Sequence, residues 1–363
     1  MSTTRAGQTL PDSMRALVLT SPGKFEIRSV PVPQPEAREV LCKVGAVAIC
    51  GSDPEIVRGD IAGTWPPSYP FTPGHEWSGE VVACGPGVVD LAPGDRVAGQ
   101  AHCGCGTCPN CMAGRYTICE NYGRAEAGQR HYGFITQGAY AQYVAMSVKS
   151  VNAMPPSVSF REGALVDTAG VVLHGLELSG ITPGGTVAVI GPGPIGLIAM
   201  RMARLLGAAR IIAVGRGARL EASRKAGANV LVNFEDGDPV PAVRAGTNGR
   251  GVDEAIECSG AAGTFRQAVE MVRKGGRVAL LGVPPNHVQE PLPFKYVVHN
   301  EIAIFGSRAN PNVSRKVINL IGAGQLQIKD LITHAFPLEN FAIALDTFVQ
   351  RRGGAIKVVV EPN

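Results

Sequence analysis

The run TVAVIGPGPIGLIAMRMARLLGA, residues 186–208, decides the fold. Its first residues, 186–190, are apolar or β-branched and read as a buried strand; 197–206 has helix-forming composition with no Gly or Pro. Between them Gly191-Pro192-Gly193-Pro194-Ile195-Gly196 matches G-x-G-x-x-G. In a strand–turn–helix setting each glycine has a task. The first permits the tight turn, the second lets a pyrophosphate approach the backbone, and the third lets helix and strand pack closely. The helix N-terminus adds free N–H groups and the positive end of a dipole. Outside such a unit the same letters mean only a glycine-rich turn. Inside it they point to a dinucleotide held at Gly191, Gly193, Ile195 and Gly196.

Downstream the alternation continues. RIIAVG (210–215) reads as a second strand, RLEASRKAGA (219–228) as a helix ending at glycine, and NVLVN (229–233) as a third strand. DEAIEC (253–258), a helix over 264–274, GGRVALLG (275–282) and EIAIFGS (301–307) extend the series. Strands alternating with helices imply a parallel, doubly wound sheet. Upstream the texture differs. MRALVLT (14–20), EVLCKVGAVAI (39–49), WSGEVVAC (77–84) and AYAQYVAM (139–146) are short apolar runs punctuated by Pro and Gly, as in a small barrel or sandwich. After about 309 a helix, RKVINLIGAG, and the closing stretch from Leu331 read as a return to the first domain. The expected organisation is therefore α/β, with a β-rich domain over 1–157, a nucleotide-binding domain over 158–309, and a return over 310–363.

Composition narrows the classes. The 363 residues are 45% hydrophobic and 18% charged, as in a well-buried globular chain. A net charge of +4, with no Lys/Arg run, gives nucleic acid no reason to be a partner. The first residues, MSTTRAGQTLPDS, lack the apolar core of a signal peptide, and no apolar run reaches the ~18 residues a membrane span needs. The expectation is a cytoplasmic protein.

Five of the nine cysteines fall within 103–119. Cys105-x2-Cys108-x2-Cys111-x7-Cys119 can close a four-thiolate tetrahedral site, which is how structural zinc is held. A disulfide pair or unliganded thiols are the plainer readings, and Cys103 offers a competing register. Three further residues are ordinary zinc ligands: Cys50 in Ile49-Cys50-Gly51-Ser52-Asp53, His75 in Gly74-His75-Glu76, and Asp167 in an apolar setting. Three protein ligands leave a position open for catalysis. Each also has an ordinary reading, as a buried cysteine, a loop histidine and a paired aspartate, and sequence distance cannot show that they meet. For the coenzyme, an Asp or Glu usually meets the adenosine ribose about 20 residues past the glycine motif. Here Val214-Gly215-Arg216-Gly217 offers none. Arg216 can pair a 2′-phosphate, favouring NADP, or be a solvated arginine beside an NAD site.

Taken together, the chain resembles the zinc-containing medium-chain dehydrogenases/reductases, especially the sorbitol and polyol branch. Cys-Gly-Ser-Asp at 50–53, Gly-His-Glu at 74–76, the cysteine lobe, the glycine motif and Ile356-Lys357-Val358-Val359-Val360 occur in family order over nearly the whole chain. The resemblance implies a GroES-like catalytic domain interrupted by a Rossmann domain, with the active site in the cleft between them. It implies two zinc ions per chain and NADP or NAD. It implies a catalytic zinc on Cys50, His75 and an acid, with Glu76 as a direct or neighbouring ligand. Asp167 stands where the polyol branch has Glu, one methylene longer. Ser52 matches the hydroxyl that relays the substrate proton. Glu55 replaces a histidine found in many relatives; it is a proton acceptor, a contact for a substrate amino or hydroxyl group, or a surface residue. Lys357 matches a base that reaches the coenzyme pyrophosphate. A homodimer or homotetramer through the strand near 301–307 is implied as well. Residues 52–60 and 214–217 are similar to cyclitol dehydrogenases acting on 2-deoxy-scyllo-inosamine.

The expected activity is hydride transfer between a secondary alcohol, polyol or cyclitol, and NAD(P). A zinc-free enone or quinone reductase and a non-catalytic nucleotide-binding scaffold are the alternatives, and neither requires Cys50, Ser52, His75 and Asp167.

Overall fold

The computed structural model describes residues 3–4, 10–285 and 287–363, and divides into two compact units. The first comprises residues 1–167, 311–324 and 328–363; the second comprises 168–310 and 325–327. The first unit thus extends to Asp167 rather than to 157, because the short helix Phe160–Ala164 packs on the strands of the first sheet. No helix among the described residues is long and apolar enough to cross a membrane.

In the first unit the main sheet runs Val151–Ala153, Arg96–Gly99, Glu76–Cys84, Glu39–Ala48, Lys357–Glu361, Ile332–Pro337. Tyr143–Ser147 adds to Glu39–Ala48, and the hairpin Ser13–Ser21/Lys24–Pro31 lies outside this sheet. The strand Glu39–Ala48 alternates little because nearly every residue is buried. Its side chains join Leu17, Ile49, Trp77, Tyr140 and Phe341 in one apolar core. The run 139–146 is a strand only from Tyr143 onward. Ala139 and Tyr140 instead donate their N–H groups to Gly74 and Pro73.

The second unit is a six-stranded parallel sheet ordered Val230–Asn233, Arg210–Gly215, Thr186–Ile190, Val252–Glu257, Val272–Leu280, Ala303–Gly306. In chain order this is 3-2-1-4-5-6, the doubly wound arrangement expected, in which the strand order reverses beside the first strand. Its central strands are buried almost throughout, as helices on both faces require. One element is shorter than expected. The helix 264–274 ends at Met271, and the chain enters the strand Val272–Leu280 at once. The β-branched Val272 pairs with Val252 there, and Gly275 at φ +66° follows, so the ladder and the glycines replace the last helical turn.

Candidate functional site

The four-cysteine lobe builds itself locally. Cys108 caps the short helix Pro109–Met112 with extended backbone, and its sulfur accepts the N–H of Cys111. Cys105 Sγ accepts from Thr107 N at 3.4 Å, Cys108 N at 3.4 Å and Asn121 Nδ2 at 3.3 Å. Hydrogen bonds from the Thr107 hydroxyl, then from Asn121 and the two backbone N–H groups, hold the Cys105 thiol down at about 5. Burial pushes Cys111 up to about 12. The sulfur pairs Cys105–Cys111 and Cys108–Cys119 are each 3.9 Å apart, and all four sulfurs lie within 4.8 Å of one another. Disulfide sulfurs lie ~2.05 Å apart. A tetrahedron with metal–sulfur bonds of ~2.3 Å has edges of about 3.8 Å. The donor set and its spacing therefore fit zinc. Cys103 is buried in the two-residue strand His102–Cys103 and does not belong to the group.

The second cluster is assembled by strand register. Ala48 pairs with Glu76 on one side and with Val359 on the other, and Ile49 N–H donates to Val358 O at 2.9 Å. Cys50 follows one strand end, His75 immediately precedes and Glu76 opens the next strand, and Lys357 opens the third, so all four arrive at one end of the sheet. The ligand atoms of Cys50, His75 and Glu76 all lie within 4.8 Å of one another. Around them Asp53, fully buried, accepts the Cys50 N–H at 2.8 Å and the Tyr140 hydroxyl at 2.8 Å, with its other oxygen 3.8 Å from His75 Nδ1. Burial alone would lower the basicity of His75. The charge and hydrogen bond of Cys50, with Asp53 and Glu76, outweigh it and hold the imidazole up at about 10. A pocket that so favours a proton on its histidine favours positive charge, and a thiolate, an imidazole and a carboxylate are ordinary zinc donors. The donor set fits a divalent cation with one open coordination position.

Asp167 is not among the three. Its Oδ1 accepts the Ala101 N–H at 3.3 Å at the start of the helix Val166–Ser179, and the carboxylate grouped with Cys50 and His75 is that of Glu76. Lys357 also departs from expectation. Rather than presenting its ammonium to a phosphate, it is 2% exposed, donates to Ile49 O at 3.0 Å and forms an ion pair with Glu76. Burial works against its charge, but Glu76 and Cys50 more than restore it, so its affinity for the proton is raised. Ser52 precedes the helix Asp53–Arg58, and its buried hydroxyl has no hydrogen-bond partner among the described residues. Glu55 is half-buried on that helix. Sequence reasoning missed Asp53 and Tyr140 as supports of His75. The only signal for Asp53 was its place in Cys-Gly-Ser-Asp, and Tyr140 gave none.

In the second unit two of the three motif glycines show a steric reason within the chain, and the third, Gly193, borders open space. Gly191 sits at φ +88°, and a Cβ there would lie 2.8 Å from Ser259. A Cβ on Gly196 would lie 2.2 Å from Gly191 O, where helix and strand touch. Gly193 caps the helix Pro194–Leu205, has extended backbone and faces only Arg219 Nη1, 3.8 Å from its would-be Cβ. Ile195 is half-buried in the first turn of that helix. Arg216 follows the strand Arg210–Gly215; it is exposed and ion-paired to Glu235 at 3.0 Å.

Comparison with known proteins gives the family. Residues 36–156 match the alcohol dehydrogenase GroES-like domain, and residues 194–323 match the zinc-binding dehydrogenase family. Sorbitol dehydrogenase of Bacillus subtilis strain 168 is 35% identical over 98% of this chain and 99% of its own. L-threonine 3-dehydrogenase of Bacillus licheniformis is 34% identical over 96% and 99%. A Sinorhizobium meliloti 1021 protein described as a zinc-binding dehydrogenase and solved with NADP superposes with TM-score 0.87 at 34% identity, covering 97% of this chain and 100% of that one.

Proposed function

Since the chain belongs to the zinc-binding alcohol dehydrogenases with a GroES-like and a Rossmann-type domain, and is an NAD(P)-linked enzyme of that family, we propose that it interconverts a secondary hydroxyl of a polyol or cyclitol and its ketone at a centre formed by Cys50, His75 and Glu76. The observation that carries this is the convergence of those three donor atoms within 4.8 Å, with the buried, unpartnered hydroxyl of Ser52 close by in sequence. Zinc held there supplies Lewis acidity to the substrate oxygen, and NAD(P) supplies the hydride acceptor.

The chain's own residues supply the rest. Ser52 takes the proton of the substrate hydroxyl and passes its own outward. Glu55, three residues along, is the next acceptor or the counter-charge for a substrate ammonium. Asp53 and Tyr140 fix the turn that carries Cys50, and Asp53 sets a carboxyl group beside His75. Lys357 holds Glu76 at the cluster. Gly191, Gly193 and Gly196 admit the coenzyme diphosphate to the helix N-terminus, and Arg216 exchanges its solvent-exposed carboxylate partner, Glu235, for a 2′-phosphate. Four cysteines of the lobe, Cys105, Cys108, Cys111 and Cys119, hold a second, structural zinc. The strand Ala303–Gly306 lies at an edge of its sheet, which supports a homodimer or homotetramer.

Sorbitol and L-threonine, the substrates in the names of the two relatives, both carry a secondary hydroxyl. The test is a panel of polyols, cyclitols, aminocyclitols, L-threonine and simple secondary alcohols, each run with NAD and with NADP on zinc-loaded protein. Turnover of a polyol or cyclitol, faster with NADP, is expected. Turnover confined to simple alcohols, or to L-threonine, would overturn the substrate class.

A further inference from the structure

A column of aromatic and imidazole rings runs from the four-cysteine lobe to His75, and no step of the proposed chemistry uses it. It begins at Tyr122, whose N–H donates to the carbonyl of Cys119 at 3.2 Å, so the phenol is anchored to the last cysteine of the lobe. The Trp65 indole, which can only donate, gives its N–H to the Tyr122 oxygen at 2.8 Å. The same oxygen is hydrogen-bonded to His131 Nδ1 at 2.5 Å, which fixes the plane of this buried ring. His131 stacks on Phe134 at 3.9 Å and 10° between planes, and Phe134 lies 4.6 Å from His75. Trp65 closes the column edge-on to Phe134 at 5.1 Å.

The backbone runs parallel to the rings. The turn bearing Phe134 presses on the turn bearing His75, so closely that a Cβ on Gly133 would lie 2.7 Å from Gly74 O. Gly74 O also accepts the Ala139 N–H at 2.8 Å. A shift of His131 therefore has no slack to be absorbed in before it reaches His75, since close-packed interiors transmit displacement.

We propose that Tyr122 and His131 are positioning residues that fix the ring of His75 through Phe134, and so couple the four-cysteine lobe to the metal ligand. This rests on the reading of Cys50, His75 and Glu76 as a metal centre. Asp53 lies 3.8 Å from the Nδ1 edge of the imidazole without a hydrogen bond to it, and the column meets the ring from Phe134.

The test uses cobalt(II) in place of zinc, because its ligand-field bands report ligand geometry without turnover. The bands of the Cys50 centre are isolated by subtracting the spectrum of Cys50→Ser. Tyr122→Phe, which deletes one oxygen, is expected to shift those bands and to speed chelator-driven metal loss from that centre about tenfold, the lower end for partners behind a metal ligand. The bands of the four-cysteine lobe stay as in the native protein. If Tyr122→Phe fails to fold, Trp65→Phe decides; it removes the N–H given to the phenol and trims the ring that meets Phe134 edge-on, at a half-buried position, and is expected to give about a threefold increase in release. Native bands and native release rates in these variants overturn the proposal, as does an equal disturbance of both sites, which would mean general loosening. A native protein with no Cys50-dependent cobalt band overturns the metal centre itself and the proposal with it.

Discussion

The two cysteine-bearing sites use similar ligands and opposite architectures. The lobe closes within 105–119, and its sulfurs are placed by a helix cap and N–H···S bonds between near neighbours. The other centre draws Cys50 and the pair His75–Glu76 from the ends of two strands, and its geometry is inherited from the pairing of Ala48 with Glu76. A short loop with little apolar burial needs its metal in order to hold a shape. A sheet end already held by a buried core does not, so its ligands can be arranged for reaction with one position left open.

The difference can be broken or sharpened by substitution. The largest effect is expected for Cys50→Ser. It should lower kcat by about a thousandfold or more, as loss of Lewis acidity implies, while one zinc per chain and the native unfolding transition remain; metal analysis and calorimetry check this. Cys119→Ser is the mirror case. It should lower stability by on the order of several kcal/mol, read from denaturant unfolding.

One residue from each site, His75 and Cys105, should also contribute to stability with opposite pH dependence once a chelator has stripped the protein. His75, held up at about 10, adds stability that is complete below its ordinary value of 6.5 and is lost as pH rises through about 10. Cys105, held down at about 5, adds stability that is complete above its ordinary value of 9.0 and is lost as pH falls toward about 5. Melting temperatures of stripped protein should fall less between pH ~7 and ~10 in His75→Gln than in the native chain. Zinc binding reverses the first trend, because the ligands must shed protons to take metal and affinity then falls as pH falls. The smallest effect is expected for Arg216→Ala. It should raise KM for NADP about tenfold, the worth of one charge-assisted contact, and leave KM for NAD unchanged.

How much of this was legible in the sequence follows the same division. The glycine motif and the cysteine spacing are local, and the strands at 186–190 and 210–215 fall where their apolar runs place them. The boundary of the helix after Thr264 was misplaced because ladder pairing at Val272 overrides helical periodicity. At the proposed centre, Cys50 and His75 were legible as ligand types. That Glu76 rather than Asp167 lies within 4.8 Å of them was not, because it depends on the strand register that sets Glu76 opposite Ala48. Nor was the placement of Lys357, whose partner Glu76 lies far away in sequence and reaches it from across the intervening strand Glu39–Ala48. The aromatic column was invisible for the same reason: Trp65, Tyr122 and His131 carry no common motif.

The most direct measurement is an anomalous-difference map of zinc-loaded crystals collected at the zinc edge. Two peaks per chain are expected, one enclosed by Cys105, Cys108, Cys111 and Cys119, the other in contact with Cys50, His75 and Glu76. A map with no second peak, or with the second zinc bound by Asp167 and away from Cys50, would contradict the proposed centre.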